Sequence, residues 1–126
     1  MNTPQLYILM RTDMDSMNPG KAMAQAAHAA NQFRHEHEGV DLRKWENETR
    51  KGFGTTIVLG VGSEEELQNC IEDAQQDSIA AGIVHDPTYP LKDGTCLHLI
   101  PVNTCGYVFT TPDKLPFTLG LLRLHP

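Results

Sequence analysis

The chain has 126 residues, enough for one hydrophobic core with little room for a second. Hydrophobic residues make up 40% and charged residues 21% of the sequence, which argues against disorder, collagen-like repeats and fibrous architectures. The formal net charge of −6 speaks against general nucleic-acid affinity. We therefore predict one soluble domain spanning residues 1–126.

No apolar run approaches the roughly 20 residues that a membrane helix needs. The start of the chain, Met1 to Pro4, has neither the basic segment nor the apolar core of a secretory signal. The sequence therefore predicts a cytoplasmic protein with no membrane partner.

The three cysteines, Cys70, Cys96 and Cys105, form no C-x-x-C pair and are odd in number. This pattern fits neither a disulfide scaffold nor a zinc ribbon. It favours reduced thiols packed as small hydrophobic side chains, with a cysteine nucleophile as a minor alternative.

The first half of the chain predicts a strand, two helices and a second strand. An apolar run at 6–10 is typical of a strand buried on both faces. Asn18 and Pro19 then form a helix start, and the alanine-rich stretch predicts a helix to about His37, ended by Gly39. Residues 41–51 predict a shorter helix, and the β-branched run at 55–61 predicts the second strand.

The second half predicts one more helix and several short strands. Ser63 and Glu66 form a capping box for an amphipathic helix that Gly82 would stop. A brief third strand follows at 83–86, ended by Pro87, and further strands are predicted at 97–100 and 107–109.

Alternating strands and helices predict an α/β fold with a mixed, mostly parallel sheet flanked by helices on both faces. Ligands of such sheets gather at the carboxyl ends of the strands. In this chain those ends are the segments 13–21 and 85–88, where we expect the functional residues to lie.

Four polar side chains of the first predicted helix recur at i, i+4, i+7 and i+11 and form one stripe, which we call the α1 stripe: Lys21, Gln25, His28 and Gln32. A solvated helix face would explain such a stripe. A cation in the first helical turn, however, opposes the helix dipole by typically about 0.3–1 kcal/mol, so Lys21 is unfavourable for local stability. Residues that break a local rule mark candidate functional sites.

The ammonium of Lys21, together with backbone N–H groups near Gly20, makes an electropositive spot suited to a phosphate or a developing oxyanion. A P-loop is excluded, because Asp15 stands where its first glycine belongs and Ala22 where its Ser/Thr belongs.

Segment 63–77 carries six acidic residues and no Lys or Arg. Five basic residues fall within the 18 positions from Arg34 to Lys51, interleaved with acids. A local basic surface can therefore coexist with an acidic helix elsewhere.

Two further histidine pairs are candidates. His35 and His37 are two residues apart on a helix, so their rings point in different directions and favour solvated side chains over a metal site. His85 and Asp86 could form an acid/base pair, although neighbouring strand residues point to opposite faces.

The segment Arg11-x-Asp13-Met14, followed by Gly20-Lys21-Ala22-Met23-Ala24-Gln25-Ala26-Ala27-His28-Ala29, resembles the signature of the type 2 peptidyl-tRNA hydrolases, R-x-D-L and then G-K-x-A-A-Q-x-x-H-A. The helix start at 61–67, the turn at Asp86 and the closing segment 122–124 follow in the family's order. The resemblance implies hydrolysis of the ester between peptide and tRNA in peptidyl-tRNA, with no metal and no cofactor.

By motif position, the resemblance assigns seven site residues: Lys21, Asp86 and Thr104 as catalytic, and Gly20, Gln25, His28 and Thr88 as substrate-binding. The threonines allow two alignments, since Gly94-Thr95 can be matched instead and Leu97 then replaces the last threonine. We favour the alignment in which Thr104 begins the final family strand and residues 90–101 are an insertion. RNA would meet a face formed by Lys21 and the segment 34–51.

An alternative function is a catalytically inactive tRNA- or protein-binding module of the same fold. It is motivated by the altered turn after Asp86 and by the acidic overall charge. The sequence also leaves a homodimer open.

Overall fold

A computed structural model describes residues 3–126 as one four-stranded sheet with helices on both faces. Met1 and Asn2, which belong to the predicted domain and to the predicted signal-free start, lie outside the described residues. The elements are β1 (Gln5–Arg11), α1 (Pro19–Glu36), α2 (Val40–Glu46), β2 (Thr56–Val61), α3 (Glu64–Gln76), β3 (Ala80–Asp93), β4 (Cys96–Thr110) and α4 (Phe117–Gly120).

The strand order is β2-β1-β4-β3, in which only β1 and β2 run parallel. The prediction of a mostly parallel sheet is therefore wrong, while the α/β class is confirmed. The difference arises because β3 and β4 form a hairpin, and β4 returns antiparallel between β3 and β1. A hairpin needs no helical crossover, so no further parallel pair is built.

The core lies on both sides of β1, as its apolar run predicts. Leu6, Ile8 and Met10 pack in the cluster under α1 and α2, whereas Tyr7 and Leu9 pack in the cluster under α3 and α4. Adjacent strand residues point to opposite faces, so one strand serves both clusters.

An aromatic cluster holds α1 and α2 on the sheet. The ring of Phe33 lies 4.6 Å from Phe109, 5.5 Å from Tyr107 and 5.7 Å from Trp45, between centroids. Trp45 also donates its indole N–H to the carbonyl of Thr55 at 2.6 Å. These contacts fix the roll of α1, and hence the direction in which its polar stripe points.

The predicted helix starts are confirmed. Asn18 Oδ1 accepts from the backbone N–H of Lys21, and Ser63 Oγ accepts from that of Glu66. The helix ends differ, because α2 stops at Glu46 and α3 stops six residues before Gly82.

Gly82 therefore does not stop α3, which ends at Gln76 and is followed by Ser78 with φ +60°. Gly82 instead lies within β3, where a Cβ would come within 2.8 Å of the Tyr107 ring. The close packing of the Tyr107 ring, and not the end of a helix, therefore explains why position 82 is a glycine.

The predicted third strand, ended by Pro87, is wrong as well: β3 continues for 14 residues to Asp93. Prolines are tolerated because β3 is the edge strand and its pairing with β4 shifts between Asp86 and Tyr89, around Pro87. The strands predicted at 97–100 and 107–109 are parts of the single strand β4.

The distal part of the β3–β4 hairpin, residues 89–100, pairs only with itself, since β1 reaches β4 no further than Cys105. We call this segment the arm. It turns at Gly94, whose φ is +61°. The arm coincides with the segment that the favoured alignment treats as an insertion.

The opposite edge of the sheet is covered by the C-terminal segment. Gly60 donates its N–H to the carbonyl of Arg123, and His125 donates to the carbonyl of Val58, both at 2.9 Å. Residues 123–125 therefore shield β2 from edge-to-edge pairing. None of the helices in residues 3–126 has the length and apolar character to cross a membrane.

Candidate functional site

The α1 stripe faces β3 rather than solvent. Lys21 Nζ donates to the carbonyl of Pro90 at 2.8 Å, and Gln32 Nε2 donates to the carbonyl of Ile83 at 2.9 Å. Between them, Gln25 contacts the sheet with its whole amide. Only His28 of the stripe is exposed. A solvated helix face is therefore the wrong interpretation for three of the four residues.

Gln25 is the centre of the site and is 3% exposed. Its Oε1 accepts from Thr104 Oγ1 at 2.6 Å, and its Nε2 donates to Asp86 Oδ2 at 2.8 Å. A hydroxyl proton on one side and a carboxylate on the other fix the orientation of the amide. The amide thus holds the Asp86 carboxylate in one place.

A β-bulge brings Thr104 to this position. Cys105 pairs with Val84 and Asn103 pairs with His85, so Thr104 has no partner on β3. An extra residue in one strand re-aims side chains. Thr104 and Cys105 consequently both contact Gln25, Cys105 through the Gln25 carbonyl at 3.5 Å.

Thr104 is fully buried, whereas Leu97, its counterpart in the other alignment, is 64% exposed on the arm. The placement of Thr104 beside Gln25 agrees with the alignment favoured above.

Asp86 Oδ1 accepts from the backbone N–H of Thr88 at 2.9 Å, with Thr88 Oγ1 at 3.5 Å. The altered turn is therefore an Asx turn that orients the carboxylate. Desolvation is the largest influence on the pKa of Asp86 and would raise it. The hydrogen bonds from Gln25 and Thr88 and the nearby charge of His28 together outweigh it, so the pKa is lowered.

Lys21 and Gly20 lie at the other end of the site. Lys21 Nζ is 5.2 Å from the centroid of the Tyr89 ring, in addition to its bond to Pro90. Lys21 forms no ion pair with Asp86 in the described chain. Gly20 is exposed in the first helical turn. The structure thus joins Gln25 and Thr88 directly to Asp86, and Thr104 to Asp86 through Gln25. Lys21 instead contacts the arm.

Asn103, which the sequence did not single out, precedes Thr104 on β4 and joins three other residues. Its carbonyl accepts from Arg11 Nη1 at 3.1 Å, its Nδ2 donates to Glu64 Oε1 at 3.0 Å, and its Oδ1 lies 2.8 Å from His85 Nδ1. Arg11 also makes a bidentate pair with Asp13 at 2.8 and 2.9 Å. The Arg11-x-Asp13 motif, which is part of the family resemblance, was the available signal for this group of contacts.

The remaining candidates separate from the site. His85 contacts Asn103, and no hydrogen bond joins it to Asp86. His37 is not a solvated side chain as predicted, since its Nε2 lies 2.8 Å from the Tyr107 hydroxyl. Within residues 3–126, no group of three or more metal-ligating side chains is arranged to hold a metal ion.

All three cysteines are free, with Cys70 and Cys105 buried and Cys96 exposed. The prediction that the cysteines pack as small hydrophobic side chains is therefore confirmed for Cys70 and Cys105. Burial raises the pKa of the Cys105 thiol, which lies beside Thr104, to about 12. Such a thiol stays protonated near neutral pH and is a poor nucleophile.

The Thr104–Gln25 hydrogen bond gives a stability prediction. Thr104→Val should lower the free energy of unfolding by about 1–3 kcal/mol, because Gln25 Oε1 is left buried without a donor. Chemical denaturation measures the loss. Adding Gln25→Leu should restore part of it, since both partners are then apolar. Strictly additive losses in the double variant would contradict the predicted coupling.

The family model described as peptidyl-tRNA hydrolase PTH2 matches residues 5–105. Two curated proteins named peptidyl-tRNA hydrolase, from two strains of Halobacterium salinarum, are each 34% identical to this chain over 79 residues. The aligned region covers 63% of this chain and spans 66% of the length of these relatives.

Proposed function

We propose that this chain, which belongs to the peptidyl-tRNA hydrolase PTH2 family, hydrolyses the ester that joins a peptide to tRNA. The observation that carries the proposal is the Thr104–Gln25–Asp86 network. It brings three residues that the family resemblance singles out into direct contact, although they lie on α1, β3 and β4.

In the proposed reaction, water attacks the carbonyl carbon of the ester, and the bond to the ribose oxygen breaks. Asp86 orients or activates the water, because its carboxylate is held on two sides and accepts further hydrogen bonds. A lowered pKa favours orientation over proton abstraction, since a weaker base takes up a proton less readily.

Thr104, Gln25, His28 and Thr88 place the ester against that water. His28 is exposed and close enough to Asp86 for its charge to act there, so it lies at the open side of the site. Thr104 and Gln25 are buried, so they contribute to this placement by fixing the position of the Asp86 carboxylate. Positioning of this kind supplies much of the rate enhancement of enzymes.

Lys21 and Gly20 supply the electropositive part. The Lys21 ammonium stabilises negative charge on the ester oxygen or holds the terminal phosphate, next to the first turn of α1. It reaches the substrate from the arm, where Pro90 and Tyr89 hold it.

A cleavage assay tests the function directly. The purified protein should release peptide from N-blocked aminoacyl-tRNA with multiple turnover. Binding of tRNA without release would instead support the catalytically inactive module. A cysteine hydrolase would lose its activity on alkylation and a metal hydrolase on chelation, and we expect neither treatment to stop turnover.

RNA should meet the face formed by Lys21 and the segment 34–51, on the side of the sheet that carries α1 and α2. Arg43, Lys44, Arg50 and Lys51 are exposed in that segment, while Arg34 is paired with Glu46 at 2.6 Å. α3, with its acidic first turn, packs on the opposite face. Phosphate contacts can therefore form despite the negative net charge.

The salt dependence of tRNA binding should then be shallow. Each phosphate contact contributes a slope of about −0.7 to −0.9 in log K against log salt. Removing Arg50 and Lys51 should make the slope less negative by the contribution of about one to two phosphate contacts. The matched control reverses Glu65 and Glu72 on α3. A larger change in affinity from that control would place the RNA elsewhere.

A homodimer, which the sequence leaves open, is tested by light scattering on the purified protein. A cytoplasmic location also stays a prediction, which imaging of a tagged protein tests.

A further inference from the structure

A cavity of about 470 Å³ lies on a side of α1 other than the one that carries the stripe. It opens where β1 ends and α1 begins. Ala22 and Ala26 form part of its floor, and they directly follow Lys21 and Gln25 of the stripe. The cavity and the proposed active site therefore lie on two sides of the same helical turns.

Four methionines line this cavity: Met10, Met14, Met17 and Met23. Met23 is 68% exposed, and such exposure of a large apolar side chain suits the mouth of a binding site. Among residues 3–126, no Asp or Glu side chain lines the cavity, and Arg11, its one guanidinium, is already paired with Asp13, while His125 and Pro126 also line it. Methionine is flexible and adapts to apolar groups of different shape.

The cavity shares a wall with the arm. Tyr89 is fully buried, its hydroxyl lies 3.0 Å from Ser16 Oγ and 3.9 Å from Met17 Sδ, and its ring faces Lys21. Met17 thus contacts the arm as well as the cavity. The loop between β1 and α1, through Met17, therefore lies between the cavity and the arm that holds Lys21.

We infer that this cavity binds an apolar side chain of the peptide moiety of peptidyl-tRNA. The inference rests on the proposed function and adds a subsite to it. The RNA end of such a substrate is constant and would be read by fixed polar or charged groups. The peptide end varies from one substrate to the next, and an adaptable methionine lining suits a variable apolar partner.

The distance across α1 sets which residue of the peptide reaches the cavity. A helix with its side chains is about 10 Å across, and an extended peptide advances about 3.3 Å per residue. With the ester beside Asp86, the third or fourth residue from the ester therefore lies over the cavity. A substrate with a single amino acid cannot reach it.

The experiment compares three substrates, each with a blocked N-terminus: tRNA carrying glycine, tetraglycine or tetraleucine. The wild-type protein should cleave the tetraleucine substrate with a kcat/KM at least about ten-fold above tetraglycine, mainly through KM. Burial of one leucine side chain accounts for that factor.

Ala26→Leu fills the cavity, and Met23→Gln makes its mouth polar with little effect on the fold, since Met23 is exposed. Both variants should abolish the preference for tetraleucine and leave cleavage of the single-glycine substrate unchanged. Ala27→Leu, an exposed change one position along α1, is the matched control and should keep the preference. Thermal unfolding confirms that each variant is folded.

An equal loss on all three substrates, or a preference that survives both variants, overturns the inference. So does a wild-type protein that cleaves the two tetrapeptide substrates equally well. In each of these cases cleavage of the single-glycine substrate still supports the proposed function. Absence of that cleavage in the wild type removes the proposed function itself, and the subsite with it.

Discussion

Asp86→Asn should lower kcat for N-blocked aminoacyl-tRNA by at least about 10²-fold, the range expected when a positioned acid–base group is lost. The carboxylate accepts from Gln25 Nε2 with one oxygen and from the Thr88 N–H with the other. An asparagine has one acceptor oxygen, so one of these donors must face an amide N–H instead. The substitution therefore removes the charge and also disturbs the network.

The pH profile separates the charge from the network. The pKa of Asp86 is lowered, so its carboxylate stays ionised from neutral pH down to below its ordinary range near 3.9. Wild-type kcat/KM should therefore show no fall owing to Asp86 between about pH 7 and pH 5. The part of stability that Asp86 contributes is likewise present above that range and lost as the pH falls through the lowered pKa.

Two results would contradict this role. Activity of Asp86→Asn within a few-fold of the wild type would remove Asp86 from the reaction. A wild-type profile that falls near neutral pH, and whose fall disappears in Asp86→Asn, would mean that the carboxylate titrates far above its lowered pKa. Both measurements use the same tRNA substrate, and unfolding curves control for lost structure.

Local signals in the sequence predicted the parts of the fold that depend on neighbouring residues. The cap of α1 by Asn18 and the cap of α3 by Ser63 involve contacts three residues apart, and both are confirmed. The burial of β1 on both faces is confirmed too, because an unbroken apolar run needs cover on each side.

The strand pairing could not be predicted in the same way, because it depends on contacts far apart in the chain. Pro87 predicts the end of a strand, but on the edge strand β3 a missing N–H has little cost. The pattern therefore predicts separate short strands in place of the hairpin, and a mixed, mostly parallel sheet. Nothing local to Pro87 shows that β3 would lie at an edge.

The site shows the same division. The spacing of the α1 stripe predicted that Lys21 and Gln25 share one helix face, and they do. What that face meets was not predictable, since the partners of the stripe lie on β3 and β4. The bulge that turns Thr104 toward Gln25 depends on the register of two strands, which no short motif determines.

Lys21→Ala should lower kcat/KM for the same substrate by at least about 10²-fold. Loss of one group that stabilises charge in a transition state typically has an effect of this size. A different explanation is available, because Lys21 also anchors the arm through Pro90. Lys21→Gln separates the two. Its amide keeps an N–H donor directed toward the Pro90 carbonyl, one bond short of the Lys21 Nζ position, but it carries no charge.

We expect Lys21→Gln to lose as much activity as Lys21→Ala, because the substrate needs the ammonium rather than the anchor. Ser16→Ala is the matched control. It removes the contact between Ser16 Oγ and the Tyr89 hydroxyl, which loosens the arm and changes no charge. It should stay within a few-fold of the wild type. If Lys21→Gln were active and Ser16→Ala inactive, Lys21 would serve to hold the arm in place, and charge stabilisation would have to come from the N–H groups of the first turn of α1.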